Sequence, residues 1–406
     1  MRLVAATAVV VTFCAAALPA QTPALSGPLT YNQALDLASS RNLALAAARR
    51  ARAIREGALR TAGLRPNPSA SFEVSRDTPH EVFVFEVPVE LGGKRGRRIE
   101  LATEELTLAD VDVQTEMRTL RRDLRQAFYS LIAADERIRL ADSLVEVTRR
   151  VHDVAQAQFE VGAVPRLDVM ASDLGVARAE TDLELARGIR AFEQARLNAV
   201  LNLPPQQPTA IVGSLSDGIA VTYESALQLA TTSNVELIAL DRQIAVEERR
   251  VALLRAERTP TPTFLVSGLF NSPGEFTAGP GAGVSVELPL FSRNQGQIAE
   301  SLATTAQLRA RRDATLRTIE NSIAGIVARI EAQRRQIEAF ERRLIPTVTD
   351  LQALAEESYR AGRTSVLGLI ESQRSLRELR REALQAALDL QLSIAELEEI
   401  LGTALR

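Results

Sequence analysis

The chain has 406 residues, with 48 Lys and Arg against 51 Asp and Glu, for a net charge of −3. That balance, with both signs interspersed, gives no basic footprint for nucleic acid. One cysteine excludes a disulfide framework, and two histidines leave little for a metal site.

Met1-Arg2 is followed by an apolar run from Leu3 to Leu18 and then small residues to Ala20. This reads as a secretory signal peptide over residues 1–20, with Gln21 the first mature residue. The run is too short to span a bilayer. Cys14 lies inside it behind the bulky Phe13, which argues against lipid attachment there. No later stretch reaches the length of a membrane helix, so any membrane contact must be made by strands.

The mature chain repeats itself. Tyr31-Asn-Gln-Ala34-Leu35-Asp-Leu37-Ala38 with Asn42 returns as Tyr223-Glu-Ser-Ala226-Leu227-Gln-Leu229-Ala230 with Asn234. Phe159-Glu-Val-Gly162-Ala163-Val164-Pro-Arg-Leu167 likewise returns as Tyr359-Arg-Ala-Gly362-Arg363-Thr-Ser-Val-Leu367. Two structural repeats are expected, 21–214 and 215–406.

In each repeat an amphipathic helix comes first, from about Tyr31 to Leu64 in the first. Next the period drops from 3.6 to 2, which predicts hairpins over 69–91 and 262–291. Phe72, Val74, Phe83, Phe85 and Val87 fall on one face of the first hairpin, and Phe264, Val266, Val284, Val286, Leu288 and Leu290 on one face of the second. The other face carries carboxylates and hydroxyls. A soluble sheet packed on a core alternates in the same way, but few apolar segments remain here to cover such a face. Four short strands cannot close a barrel alone, so strands must be pooled across subunits.

A long helix follows each hairpin, from about Arg98 to Gln158 in the first repeat. Leu120, Leu124, Ala127, Leu131, Ala134, Ile138, Ala141 and Val145 make its seam. Ile319, Ile323, Ile326, Ile330, Ile337, Phe340 and Leu344 make the second, with Gln333 in one seam position. After a turn at Gly162 the chain runs back as a helix over about Arg166 to Leu201. The two short helices of a repeat together match the long one, giving a hollow-cylinder stave made twice per chain.

No nucleophile stands with a base, and no pair among His80, His152, Met117 and Met170 has metal-ligand spacing. No cofactor is expected. His80 reads as an exposed loop residue with room for weak metal contact, and His152 as an ordinary helix residue. Gly92-Gly93-Lys94 lacks the spacing of a phosphate loop and reads as a strand-to-helix turn. The many Arg and Glu of the helices fit solvated faces and subunit contacts.

Tyr31 to Ala38, Pro66 to Val74, Phe159 to Val169, Tyr223 to Ala230 and Tyr359 to Leu369 together resemble the TolC-like outer membrane efflux family. Glu90-Leu-Gly-Gly-Lys94-Arg95-Gly-Arg97-Arg98 and Pro289-Leu-Phe-Ser-Arg293-Asn294-Gln295-Gly296 look like its CzcC-type, heavy-metal branch. The resemblance implies a mainly α fold with a small membrane β-barrel contribution: a homotrimer whose twelve-stranded barrel meets outer-membrane lipid and continues into a periplasmic helical tunnel. It implies a passive exit duct, not an enzyme, in the outer membrane of a Gram-negative bacterium. A periplasmic adaptor and an inner-membrane RND-type pump would be its partners, with divalent heavy-metal cations as cargo. A type I secretion or multidrug duct has the same fold, and a soluble periplasmic coiled-coil scaffold is the reading of another class.

By the same resemblance Gly162, Ala163, Val164, Gly362 and Arg363 are adaptor-docking tips. Asp168, Tyr359, Arg363 and Glu371 belong to a periplasmic gate, with Arg363 displaced beside the matching Thr364. Gly368 stands where one acidic residue of the family would be, leaving Glu371 as one acidic ring.

Overall fold

The structure, a computed structural model, describes residues 27–216, 221–272, 276–361, 363–364 and 366–405. The expected signal peptide, Cys14 and Gly362 lie outside them.

The chain begins with α1 (Tyr31–Arg41) and α2 (Leu43–Ala62). The sequence predicted one helix here, but Asn42 interrupts it. Its backbone is extended, and its Oδ1 accepts the Leu45 N–H at 2.9 Å, so it caps α2 while ending α1. The second repeat breaks in the same way. Asn234 ends α5 (Tyr223–Ser233) and accepts the Leu237 N–H at 3.0 Å to start α6 (Val235–Ala256). The repeated asparagine is thus a paired helix stop and start.

Strands β1 (Ser69–Val74), β2 (Glu81–Pro88), β3 (Pro262–Ser272) and β4 (Phe276–Val286) form one antiparallel sheet in the order β1-β2-β3-β4. The central β2–β3 pairing joins the two hairpins across the repeats. Register places Phe72, Phe83 and Gly268 in one row, Ala70, Phe85, Val266 and Ala282 in the next, and Val87, Phe264 and Val284 in a third. All lie on one face, as alternation requires. The opposite face is more mixed than expected. Ser69, Ser71, Glu73, Glu86 and Ser267 share it with Val82, Val84, Leu265 and Leu269. β4 also stops at Val286, so Leu288 and Leu290 continue as an exposed link outside the sheet rather than as strand.

α3 (Lys94–Glu160) has 67 residues, on the order of 100 Å at 1.5 Å per residue. It starts from two positive-φ glycines, and a Cβ on Gly92 would come within 2.5 Å of Thr259 Oγ1. The second repeat uses the left-handed Asn294 for the same turn, its Nδ2 donating to the Leu254 carbonyl at 3.1 Å. α4 (Arg166–Val200) returns along α3.

The second long helix is not continuous. α7 (Gln295–Ala339) passes through a π-turn at Phe340–Leu344 into α8 (Ile345–Arg360). The extra residue in that turn rotates the buried face. Phe340 is buried and the seam resumes at Val348, while Leu344, expected in the seam, is exposed. Pro346, which has no N–H to donate, follows directly. α9 (Val366–Leu401) completes the chain.

Two apolar clusters sit midway along the staves. One gathers Ala34, Leu124, Phe128, Leu131, Leu197 and Leu201; the other gathers Ala226, Ile323, Ile330, Ile394 and Leu397. Among the described residues the turn end of the helices has two small clusters, around Val151, Tyr359 and Leu369 and around Val145, Ala179 and Leu183.

Candidate functional site

The molecule has two ends of different chemistry. At one, the sheet exposes an apolar face: Phe72 is 63 %, Val266 60 % and Val284 58 % exposed, with Val74, Phe83, Phe85, Val87, Phe264 and Val286 exposed beside them. No helix of the described residues is long and apolar enough to cross a membrane. An unpartnered face of this size needs covering.

Where the sheet meets the helices, Arg98 Nη2 donates to Glu90 Oε2 at 3.0 Å, and Arg98 Nη1 bonds the other carboxylate oxygen. Hydrogen bonding from Arg98 holds the Glu90 carboxyl below its usual range, against the opposing cost of burial. A depressed folded value stabilises above the ordinary carboxylate range and is lost as pH falls through it. Glu90→Gln should therefore lower the melting temperature at neutral pH, and the gap to wild type should close on acidification. A gap unchanged with pH would remove the ion pair from the stability of this junction.

Below the junction, arginines of one helix reach carboxylates of the next. Arg52 meets Asp110 at 2.5 Å, Arg312 meets Asp241 at 2.5 Å, Arg309 meets Glu248 at 2.8 Å and Arg249 meets Glu100 at 3.2 Å. Half-exposed pairs of this kind contribute about 0–1 kcal/mol each, so they set helix neighbours more than stability.

At the other end both repeats turn in the same way. Gly162 has φ +73°, and the Ala163 N–H donates to the Gln158 carbonyl at 2.8 Å; the Arg363 N–H donates to the Ser358 carbonyl at 2.9 Å. Gly162, Ala163 and Arg363 are exposed and Val164 half-buried. Apolar Val161 and Leu167 flank the first turn at 79 % and 64 % exposure.

Asp168, in the first turn of α4, and Tyr359, near the end of α8, are both buried. Burial raises the Tyr359 hydroxyl above its ordinary value, and the Asp168 charge raises it further. The Asp168 charge thus acts on Tyr359, although the Tyr359 hydroxyl makes no hydrogen bond among the described residues. Arg363 and Glu371 do not join them. Glu371 is exposed and acts on Arg374, whose guanidinium is held charged first by Glu378 and then by Glu371. Nearby, His152 Nδ1 lies 3.2 Å from the Ser172 hydroxyl, tying α3 to α4. His80 sits in the β1–β2 loop, its Nδ1 3.3 Å from the Ser75 carbonyl. No cluster able to hold a metal ion occurs among the described residues.

Sequence reasoning missed the polar group at mid-height. Arg125 of α3 donates to both Glu398 oxygens at 2.9 and 3.0 Å and to Gln391 Oε1 at 3.0 Å. It also lies 5.6 and 5.2 Å from the ring centroids of Tyr31 and Tyr129. Burial pushes the Tyr31 hydroxyl up to about 12. This group clamps the first repeat to the last helix.

The chain is thus a stave of long helices carrying an exposed apolar sheet at one end. The fold is shared with a solved CusC structure at a TM-score of 0.76, with 14 % identity and 92 % of each chain covered. VceC of Vibrio cholerae gives 0.73 at 16 % identity, covering 93 % of this chain and 97 % of the other. The chain belongs to the outer membrane efflux protein family, whose model matches residues 30–203 and 226–403. It is 26 % identical over 362 residues to the cobalt-zinc-cadmium resistance protein CzcC of Cupriavidus metallidurans, covering 87 % of this chain and 85 % of that one. It is 25 % identical to the pyoverdine export outer membrane protein OpmQ of Pseudomonas putida, covering 80 % and 70 %. The protein is therefore an outer-membrane channel of the TolC type, a passive conduit rather than an enzyme, with its helices on the periplasmic side. The soluble-scaffold reading falls with that membership.

Proposed function

We propose that the protein is the exit duct of a tripartite system that exports divalent heavy-metal cations, working as a homotrimer with a periplasmic adaptor and an inner-membrane RND-type pump. The observation that carries the duct is the exposed apolar face of a four-stranded sheet, which is too few strands to close alone and must be pooled with those of other chains, three chains giving twelve. Phe72, Val74, Phe83, Phe85, Val87, Phe264, Val266, Val284 and Val286 then face lipid. The similarity to CzcC favours metal cations as cargo, and the similarity to OpmQ keeps pyoverdine or drug export as the competing reading. Growth of a deletion strain in graded cobalt, zinc, cadmium and drugs decides between them: sensitivity to metals is expected, and sensitivity to drugs alone overturns the assignment.

In this reading each chain supplies two staves, one per repeat. The turns at Gly162, Ala163 and Val164, and at Gly362 and Arg363, receive the adaptor, and the exposed Val161 and Leu167 favour an apolar contact there. Asp168, Tyr359, Arg363 and Glu371 form the gate. The scarcity of apolar packing near the turns supports a region that moves at low cost. Three Glu371 carboxylates brought together by symmetry attract cations, with Arg374 offsetting part of their charge. Glu371→Ala is expected to lower cation selectivity of the reconstituted pore, read as a shift in reversal potential under a salt gradient. An unchanged potential takes Glu371 out of the gate.

A further inference from the structure

The sheet is oppositely charged at its two ends. At the helix side, residues 60–68, 89–98, 255–261 and 287–294 hold nine basic residues against three carboxylates, in a chain whose net charge is −3. At the far side, residues 73–81 hold three carboxylates and one arginine. The basic excess is thus concentrated where all four strands join helices.

Several of these charges are uncompensated. The side chains of Arg65 and Arg255 are exposed and make no ion pair or hydrogen bond among the described residues. Arg95, Arg258 and Arg293 are also exposed, and each donates its Nε only to a backbone carbonyl, of Gly63 at 2.6 Å, Arg293 at 2.8 Å and Pro289 at 3.2 Å respectively. Those bonds hold the guanidinium groups in place without an ion pair among the described residues, although the Arg95 charge also acts on Glu90. The same segments carry exposed apolar residues, Leu91, Leu288, Leu290 and Phe291 among them, next along the chain to the strands of the apolar face. Arginines interleaved with large apolar side chains, at the edge of an apolar band, make a surface suited to the headgroup level of a membrane.

We infer that this collar binds the phosphates of anionic phospholipids in the periplasm-facing leaflet of the outer membrane, and so fixes the depth at which the sheet sits. The inference rests on the reading of the sheet's apolar face as lipid-facing. Each surface arginine near an anionic headgroup favours it roughly fivefold at low salt, and the preference fades as salt screens it.

The test is reconstitution of the full protein into vesicles of phosphatidylethanolamine and phosphatidylglycerol, gentle re-extraction, and measurement of the two lipids that co-purify. Wild type should retain phosphatidylglycerol several-fold above its share of the vesicle, less so in high salt. Arg95→Gln with Arg258→Gln and Arg293→Gln should return the ratio toward that share. Arg65→Gln with Arg255→Gln, at side chains that bond nothing in the fold, should shift it in the same direction. Arg149→Gln, far down α3 and paired with Glu180, should leave it unchanged. A wild-type ratio equal to the bulk, or one insensitive to the Arg65 and Arg255 changes, overturns the collar. Failure to enter vesicles at all would instead overturn the lipid-facing reading beneath it.

Discussion

Glu398→Ala is expected to destabilise the folded chain by about 3–5 kcal/mol, because it strands a buried arginine. Arg125 is 6 % exposed, and Glu398 accepts two of its hydrogen bonds. The Leu405 N–H, at 2.9 Å, is the carboxylate's other partner. Removing the carboxylate leaves a cation with Gln391 and two aromatic rings but no counter-charge. Arg125→Met combined with Glu398→Leu should recover most of the loss, since two apolar side chains need no desolvation offset. Melting of the detergent-solubilised protein, followed by helical circular dichroism, reads both effects. A single variant as stable as wild type would sink the clamp.

The pH dependence of the same pair has a definite sign. Burial raises the Glu398 carboxyl above its ordinary value, and Arg125 only partly opposes this. A group raised on folding stabilises below its unfolded value, and that contribution is lost as pH rises through the folded one. Mild acid therefore favours the fold through Glu398, opposite to Glu90 at the junction of sheet and helices. The clamp and the junction are thus separable by one titration.

The long helices were legible because their seams recur over many turns: Leu124, Ala127, Leu131 and Ala134 are fully buried as periodicity requires. The strands were legible because Phe83, Phe85 and Val87 alternate with polar or smaller neighbours. What stayed hidden depends on single residues or distant partners. Asn42 ends a helix with a side-chain cap that composition does not distinguish from a solvated asparagine mid-helix. The π-turn before Pro346 shifts the seam by one residue and leaves Leu344 exposed, which the apolar periodicity does not reveal. Arg125 and Glu398 are 273 positions apart, and in sequence each reads as a surface charge on an amphipathic helix. At the tip, the resemblance placed Asp168, Tyr359, Arg363 and Glu371 together in a gate; within one chain Asp168 and Tyr359 are buried, whereas Arg363 and Glu371 are exposed. A gate that closes between chains would leave such residues exposed in a single one.

Val266→Arg and Ser267→Arg put the same charge on adjacent residues of β3 and should give opposite results. Val266 pairs with Phe85 and Ala282 on the apolar face, midway along the strand; Ser267 pairs with Val84 and Gly281 on the other. An arginine facing lipid near the midplane costs about 2–4 kcal/mol, and the same residue facing a lumen costs little. A threefold ring would carry the first cost three times over. Val266→Arg should therefore be depleted from the outer-membrane fraction, while Ser267→Arg should insert and alter conductance instead. Ser267 lies against a Gly281 that has no side chain, and a Cβ there would come within 2.3 Å of the serine hydroxyl. If both variants insert equally well, the apolar face is covered by protein rather than lipid, and the sheet is not a membrane wall.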